Sequence, residues 1–276
     1  MIRIGVRSFV AAVSGGGTDA DAQAFIDAAG ITDATQQSAI NTLVTDLKGY
    51  GIWSKMKAIY PFVGGTSSTH KWNLKDPRDL DAAFRLVFNG GWTHSSTGAL
   101  PNGTNGWANT FITPNSVFSS NNAHGSFYSR SNTAQSQRTS FGCYDTAGQP
   151  NFTLALNYNV TLKMFTVLGD NNYPLSGITN TDTRGFYSTS RTANNSLILK
   201  KNGLTVGSNT NTVIVNSFPS TKTLVISAIN TTGFNVAEFD NKQVAFTSFG
   251  DGLTDTEAAN FYTAVQAYQT TLNRQV

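Results

Sequence analysis

Apolar and polar residues alternate in short runs over most of this 276-residue chain. Runs at 152–169 (FTLALNYNVTLKMFTVLG), 184–191 (RGFYSTSR), 212–218 (TVIVNSF), 222–230 (KTLVISAIN) and 243–250 (QVAFTSFG) sit between clusters of Asn, Gly, Asp and Pro. That spacing predicts the strands of a sandwich. In SLILKKNGLTVGSN (196–209) two such runs meet at Asn202-Gly203, the dipeptide best suited to a tight two-residue hairpin. DPRDLDAAFRLVFNGG (76–91) fits helix and strand equally.

Helical period enters in three places. DADAQAFIDAAG (19–30) predicts a short helix capped by Asp19, with Phe25 and Ile26 as contacts and Gly30 as its stop. In TDATQQSAINTLVTDLKGYG (32–51), Asp33 and Gln36 have the spacing of a capping box, Ile40, Leu43, Val44 and Leu47 share one face, and Gly49 acts as the breaker. The tail from 254 repeats Ala258, Phe261, Val265, Tyr268 and Leu272 every three or four positions behind a Thr254/Glu257 capping box. Two short helices cannot form a core of their own, so they must pack on the body that follows. The expected architecture is mainly β: a two-sheet sandwich with a short N-terminal helical segment and a C-terminal amphipathic helix.

Three units are expected: an arm with a glycine linker over 1–17, the helical segment over 18–50, and the sandwich with its terminal helix over 51–276. Gly15, Gly16 and Gly17 free the arm from the rest. Its opening, MIRIGVRSFVAAVSGGG, has Arg3 and Arg7 before apolar residues, but the run Phe9 to Val13 is shorter than a signal peptide requires. Ile2, Ile4 and Val6 alternate with Arg3, Gly5 and Arg7, the pattern of a half-exposed strand. With Phe9 they make an arm that could add to a sheet edge of a partner chain; the alternative is an arm folded onto its own sandwich. No segment approaches the ~18 apolar residues that insert into a membrane.

Composition narrows the functional classes. Charged residues make up only 13% of the chain, and Asn, Thr, Ser and Gly fill the deficit. The 19 Lys and Arg are scattered and the net charge is +3, which gives nucleic acid no basic stripe to follow. A single cysteine, Cys143, excludes an internal disulfide and a cysteine-built zinc site.

The order of helix pair, long β body and terminal helix resembles a family of bacteriophage and prophage virion proteins whose body is a concanavalin A-like (laminin G-like) jelly roll. The stretches that carry the resemblance are AINTLVTDLKGYGIWSKMKAIYPFVGG, HKWNLKDPRDLDAAFRLVFNGG, LPNGTNGWANT, SRTANNSLILKKNG and SFGDGLTDTEAANFYTAVQAYQ, spread over roughly residues 19–276. The resemblance implies a structural or adhesive role in the virion, as a capsid decoration, head fibre or tail-associated component. Its partners would be other virion proteins, further copies of the chain and a host surface polysaccharide. It carries over no catalytic residue, and it leaves the arm uncovered.

Jelly rolls also serve glucanases, so the site must decide. A strand can present paired carboxylates as E-x-D-x-x-E, because residues two apart share a face. The chain has two glutamates; Glu238 and Asp240 fit the first two positions, but Gln243 stands in the third, and DNK (240–242) reads as a solvated hairpin turn. No enzyme is expected. His70, His94 and His124 lack metal-ligand spacing, and no G-x-S-x-G elbow marks a nucleophile. No cofactor motif is present; loop oxygens at Asp170 or Asp251 could hold Ca²⁺, and turn formation explains both equally well. Sequons such as those at Asn102 and Asn159 matter only in a eukaryotic secretory pathway; without a signal they are expected chance products of an Asn- and Thr-rich chain.

Sugar recognition asks for an aromatic face ringed by amides and hydroxyls. GGWTHSSTGALPNGTNGWANTF (90–111) offers Trp92, His94, Asn105 and Trp107, with Tyr187 as a more distant candidate. The competing reading places both tryptophans as plugs in the sandwich core.

Overall fold

The computed structural model describes residues 17–119, 121–133, 137–146, 149–158, 163–169, 175–211, 217–233 and 235–276. The arm residues Ile2, Ile4, Val6 and Phe9, the calcium candidate Asp170 and the sequon residue Asn159 lie outside them.

Two sheets face each other. The first runs β13 (Leu204–Asn209), β12 (Ser196–Lys201), β11 (Gly185–Ala193), β6 (Ala123–Ser129), β17 (Val244–Gly250), β4 (Gly98–Pro101) and β3 (Trp92–Ser95), and β1 (Met56–Tyr60) also pairs with β17. The second runs β10 (Leu175–Thr179), β9 (Lys163–Leu168), β8 (Gln149–Ala155), β7 (Phe141–Thr146), β14 (Val225–Ile226), β5 (Trp107–Asn109) and β2 (Val87–Asn89). The short strand β15 (Ile229–Thr231) joins β7 in parallel and β16 (Asn235–Ala237) antiparallel. Among the described residues the other strand pairs are antiparallel, and one isolated bridge, Thr139 to Phe239, is parallel. The mainly β sandwich expected from the alternation is the observed fold.

Local chemistry accounts for the best-formed elements. Asn202 and Gly203 both have positive φ, 50° and 78°, and turn β12 into β13 as an Asn-Gly hairpin should. Helix α1 (Ala20–Ala29) is capped by Asp19 and ends on Gly30 at φ 66°. In α2 (Ala34–Gly49) the Asp33 side chain accepts the Gln36 N–H, but the box is half-made: Gln36 Oε1 accepts from Gly64 N–H instead. The expected breaker Gly49 stays inside the helix, and Gly51 takes the left-handed conformation at φ 72°. The terminal helix, Asp255–Thr271, has the full Thr254/Glu257 box, and Glu257 also pairs with Lys55 at 2.6 Å. Residues 76–91 form neither of the alternatives at length: a single 3₁₀ turn at Asp81–Ala83 precedes the three residues of β2. Among the described residues no helix is long and apolar enough to cross a membrane.

The described residues form three layers with two large cores and a small third cluster of Ala155, Phe165 and Val167. Phe127, Phe141, Phe152, Tyr187, Leu199 and Phe249 fill the space between the sheets. Tyr128, Phe186 and Phe246 leave the other face of the first sheet and meet Phe25, Ile40, Leu43, Phe261 and Val265 of the helices. Every residue of β6 and of β17 is therefore buried, and alternation persists only as a choice between two interiors. Polar side chains on the helix-facing side are matched to one another. His124 Nδ1 donates to the Asp251 carbonyl at 2.6 Å, its Nε2 accepts from Ser248, and Ser126 lies 2.7 Å from Ser248.

Arg274, beyond the last helix, is fully buried. It donates to Gln269 Oε1 and to the carbonyls of Pro61, Phe62 and Ala245 at 2.6–3.0 Å, with Ser96 O at 3.4 Å. Tyr268 offers its ring to the guanidinium at 5.2 Å. Burial lowers the Arg274 pKa below the usual arginine value. Arg274→Met keeps the apolar stem and strands these carbonyls, so chemical denaturation should show a loss of about 3 kcal/mol. A change below about 1 kcal/mol would mean that water replaces the guanidinium without cost.

Candidate functional site

One side of the sandwich is closed by short edge strands, β3 of the first sheet and β2 of the second. Short strands alone cannot seal an apolar core, so side chains and loops complete the seam. Phe88 of β2 meets Trp92 and His94 of β3 edge-to-face, with ring centroids 5.2 and 4.6 Å apart. The Trp92 indole N–H donates to the carbonyls of Asn89 and Trp107, at 3.0 and 3.3 Å, tying β3 to β2 and β5 of the facing sheet. Asn102 Oδ1 gathers the N–H groups of Thr104, Asn105 and Gly106, and Asn105 Oδ1 accepts from Gly91 N–H and Asn102 Nδ2. Gly90, at φ 68°, is required here, because a Cβ would strike the Asn105 carbonyl.

Below the seam lies α3 (Ser67–His70), a single turn capped by Thr66. His70 Nε2 accepts from Gly65 N–H at 3.2 Å, so its proton sits on Nδ1 and is donated to His94 Nδ1 at 2.9 Å. This exchange leaves the His94 proton on Nε2. Phe62 packs edge-on against His70 at 5.4 Å.

A shallow, open cavity of about 310 Å³ lies beside this cluster, lined by Ser67, Ser68, Lys71, Arg85, Leu86, Val87 and Phe88. It lies at the lower end of the volumes that small ligands occupy. The Leu86 N–H donates to the Lys71 carbonyl at 2.7 Å, which holds the two cation-bearing segments together. Lys71 lies over the Trp72 ring at 4.7 Å. Both cations reach one carboxylate: Lys71 Nζ meets Asp79 Oδ2 at 2.5 Å and Arg85 meets Asp79 Oδ1 at 3.0 Å, while Arg85 also pairs with Asp81. The Lys71 hydrogen bond is the main reason that Asp79 is more acidic than an ordinary aspartate.

The structure gathers Trp92, His94, Asn105 and Trp107 at this end of the sandwich, but as the frame of the seam. The Trp92 indole N–H, Asn105 Oδ1 and His94 Nδ1 are all engaged internally, and none of the four lines the cavity. Trp92 packs against the inter-sheet core, as the plug reading anticipated, whereas Trp107 is half-buried on β5. Tyr187 is a correction: it is fully buried between the sheets, donates to Asn180 Oδ1 and the Asp182 carbonyl, and lies under the Lys201 ammonium. The cavity residues carried no local signal, since Lys71 and Arg85 meet only through the fold.

The solvated-turn expectation for DNK is also corrected. Asp240 and Lys242 are fully buried and paired at 3.0 Å, and Ser140 donates to the second Asp240 oxygen at 2.9 Å. Glu238, at φ 54°, accepts from the hydroxyls of Thr139 and Tyr158. Gln243 bridges Arg130 and Thr97. Asp251 is paired with Lys57 at 3.1 Å. Among the described residues no group of three His, Cys, Asp or Glu stands together as metal ligands.

Burial pulls both enclosed histidines below their ordinary 6.5: His70 to about 3, with His94 and Arg274 adding repulsion, and His124 to about 4, where Asp251 and Glu257 oppose the burial and Lys55 adds to it. The unfolded chain binds these protons near pH 6.5 and the folded chain does not, so stability is full above that pH and declines as pH falls. Each histidine should remove about 1.4 kcal/mol per pH unit between roughly 6.5 and 4. Urea midpoints at pH 7 and pH 5 measure this; His124→Gln should flatten the profile, and an unchanged slope in that variant would contradict the assignment.

No protein-family model matches the chain, and no curated protein matches its sequence. Solved structures match it in shape. The sialidase of Trypanosoma rangeli, in complex with 2,3-difluorosialic acid, gives a TM-score of 0.52 at 11% identity, covering 82% of this chain and 38% of that one. A mutant of the same sialidase with trans-sialidase activity gives 0.51 at 9% identity, covering 86% and 39%. Domain 4 of AbnA, a GH43 extracellular arabinanase from Geobacillus stearothermophilus in complex with arabinotriose, gives 0.48 at 14% identity, covering 75% and 98%. This chain spans about two fifths of the sialidase's length, and the likeness to it is one of fold, a β-sandwich.

Proposed function

We propose that this chain is a carbohydrate-binding β-sandwich displayed on the surface of a bacteriophage particle, where it attaches to host glycan. The observation that carries the binding half is the cavity: Phe88 supplies an apolar face, Ser67 and Ser68 supply hydroxyls, and Lys71 and Arg85 supply charged donors. An aromatic ring beside a few polar groups is what the two-sided surface of a sugar requires. The virion half rests on the stretches of sequence that resemble phage and prophage structural proteins.

Binding without bond cleavage is the reading the carboxylates favour. Hydrolysis by paired carboxylates needs two of them flanking one bond. Asp240 is enclosed with Lys242, and Glu238 holds two hydroxyls. The alternative placement, a receptor-binding module of the tail, has the same chemistry and differs only in position on the particle.

Phe88→Ala removes the ring from the cavity. On a glycan array the unaltered chain should bind saturably, and the variant should lose at least ten-fold in affinity with its far-UV dichroism unchanged. Equal binding by the variant would place the sugar elsewhere. For the virion half, deletion of residues 1–14 should leave a folded protein that no longer joins its particle; normal incorporation of the truncated chain would defeat that assignment.

A further inference from the structure

We infer that the cavity beside Phe88 selects an acidic saccharide, one whose carboxylate takes the place of Asp79 between Lys71 and Arg85. This rests on the proposed glycan-binding role and specifies the ligand class. Two of the seven lining residues are cations, while Asp79 and Asp81, which neutralise them, are not part of the lining. Both cation-bearing residues thus belong to the lining, and the two carboxylates that neutralise them do not.

Asp79 reports what the cations accept. Its two oxygens are divided between them, Oδ2 on Lys71 at 2.5 Å and Oδ1 on Arg85 at 3.0 Å. A guanidinium and an ammonium held at this spacing suit the two oxygens of one planar carboxylate. The Asp79 side chain is 45% exposed, and Arg85 keeps Asp81 as a second partner, so release of Asp79 breaks only exposed contacts. Such contacts contribute little to stability, which makes exchange for a ligand carboxylate inexpensive. The rest of the lining suits a sugar ring: Phe88, Leu86 and Val87 for its apolar side, Ser67 and Ser68 for its hydroxyls.

Positioning comes from outside the cavity. His94 and Trp92 pack edge-to-face with Phe88, and His70, which ends the turn that carries Ser67 and Ser68, is tied to Gly65 before it. The aromatic seam therefore sets the shape of the cavity, and the ion pairs at its rim set its charge preference.

The test titrates the full chain with a panel of hexuronate and sialyl oligosaccharides, each beside its carboxyl-reduced form, at low and high salt. At least one acidic member should bind ten-fold or more tighter than its reduced form, with the advantage shrinking at high salt. Arg85→Gln and Lys71→Gln should each erase that ratio while keeping the thermal midpoint. Asp79→Asn should do the opposite and strengthen acidic binding several-fold, because it removes the internal competitor. Equal affinity for acidic and reduced forms, or a ratio unchanged in Arg85→Gln, overturns this inference and leaves glycan binding standing. Absence of binding by every member of both sets overturns the glycan-binding role and this inference with it.

Discussion

The first sheet has no solvent face at its centre. With every residue of β6 and β17 buried, Tyr128, Phe186 and Phe246 depend on the helices to keep them from water. Each such ring gains about 2–3 kcal/mol from burial, so the helical cover is part of the core. The constraint decides what each polar side chain on that face must do. His124, Ser126 and Ser248 cannot reach water and satisfy one another, and the price is a histidine held neutral far below its ordinary range.

Once that face is covered, ligand contact falls to the remaining surfaces. The edges of a sandwich are where backbone groups go unpaired and where a core is most open to water. On the β2/β3 side the protein closes this gap with rings instead of long strands: Phe88, Trp92 and His94 from the two edges, His70 from the turn beneath. The cavity lies beside that seam, between the α3 turn with Lys71 and the segment Arg85–Phe88, and Phe88 belongs to both.

What could be read from the sequence follows from the range of the interaction. Caps, stops and the Asn202-Gly203 hairpin depend on neighbours within a few residues, and Asp19, Gly30, Thr254 and Glu257 do what local chemistry predicts. Gathering Trp92, His94, Asn105 and Trp107 was legible because one glycine-rich loop region carries them all. Their roles were not, because a side chain's free donors depend on partners such as His70 and Asn89. Tyr187 misled for a related reason: alternation predicts one wet face, and β11 is buried along most of its length. DNK has a turn's composition, yet the opposite charges of Asp240 and Lys242 let the segment sit inside. Lys71 and Arg85 come together through the bond from the Leu86 N–H to the Lys71 carbonyl and through their shared partner Asp79, contacts that the pattern of neither segment announces.

Arg274 links the two halves of this account. Apolar contact holds a helix against a sheet without fixing where along the sheet it sits, because burial is non-directional. Hydrogen bonds are directional, and those of Arg274 run to Ala245 on β17, to Pro61 and Phe62 after β1, and to Ser96 in the β3–β4 turn. Phe62 packs on His70, and His70 is bonded to His94 on β3. One buried cation therefore sets the register of the helical cover and, through two short steps, the backbone that frames the cavity. Replacing it with an apolar residue would retain most of the buried area and lose the reference point shared by helix, sheet and site, which is why its worth lies in position as much as in stability.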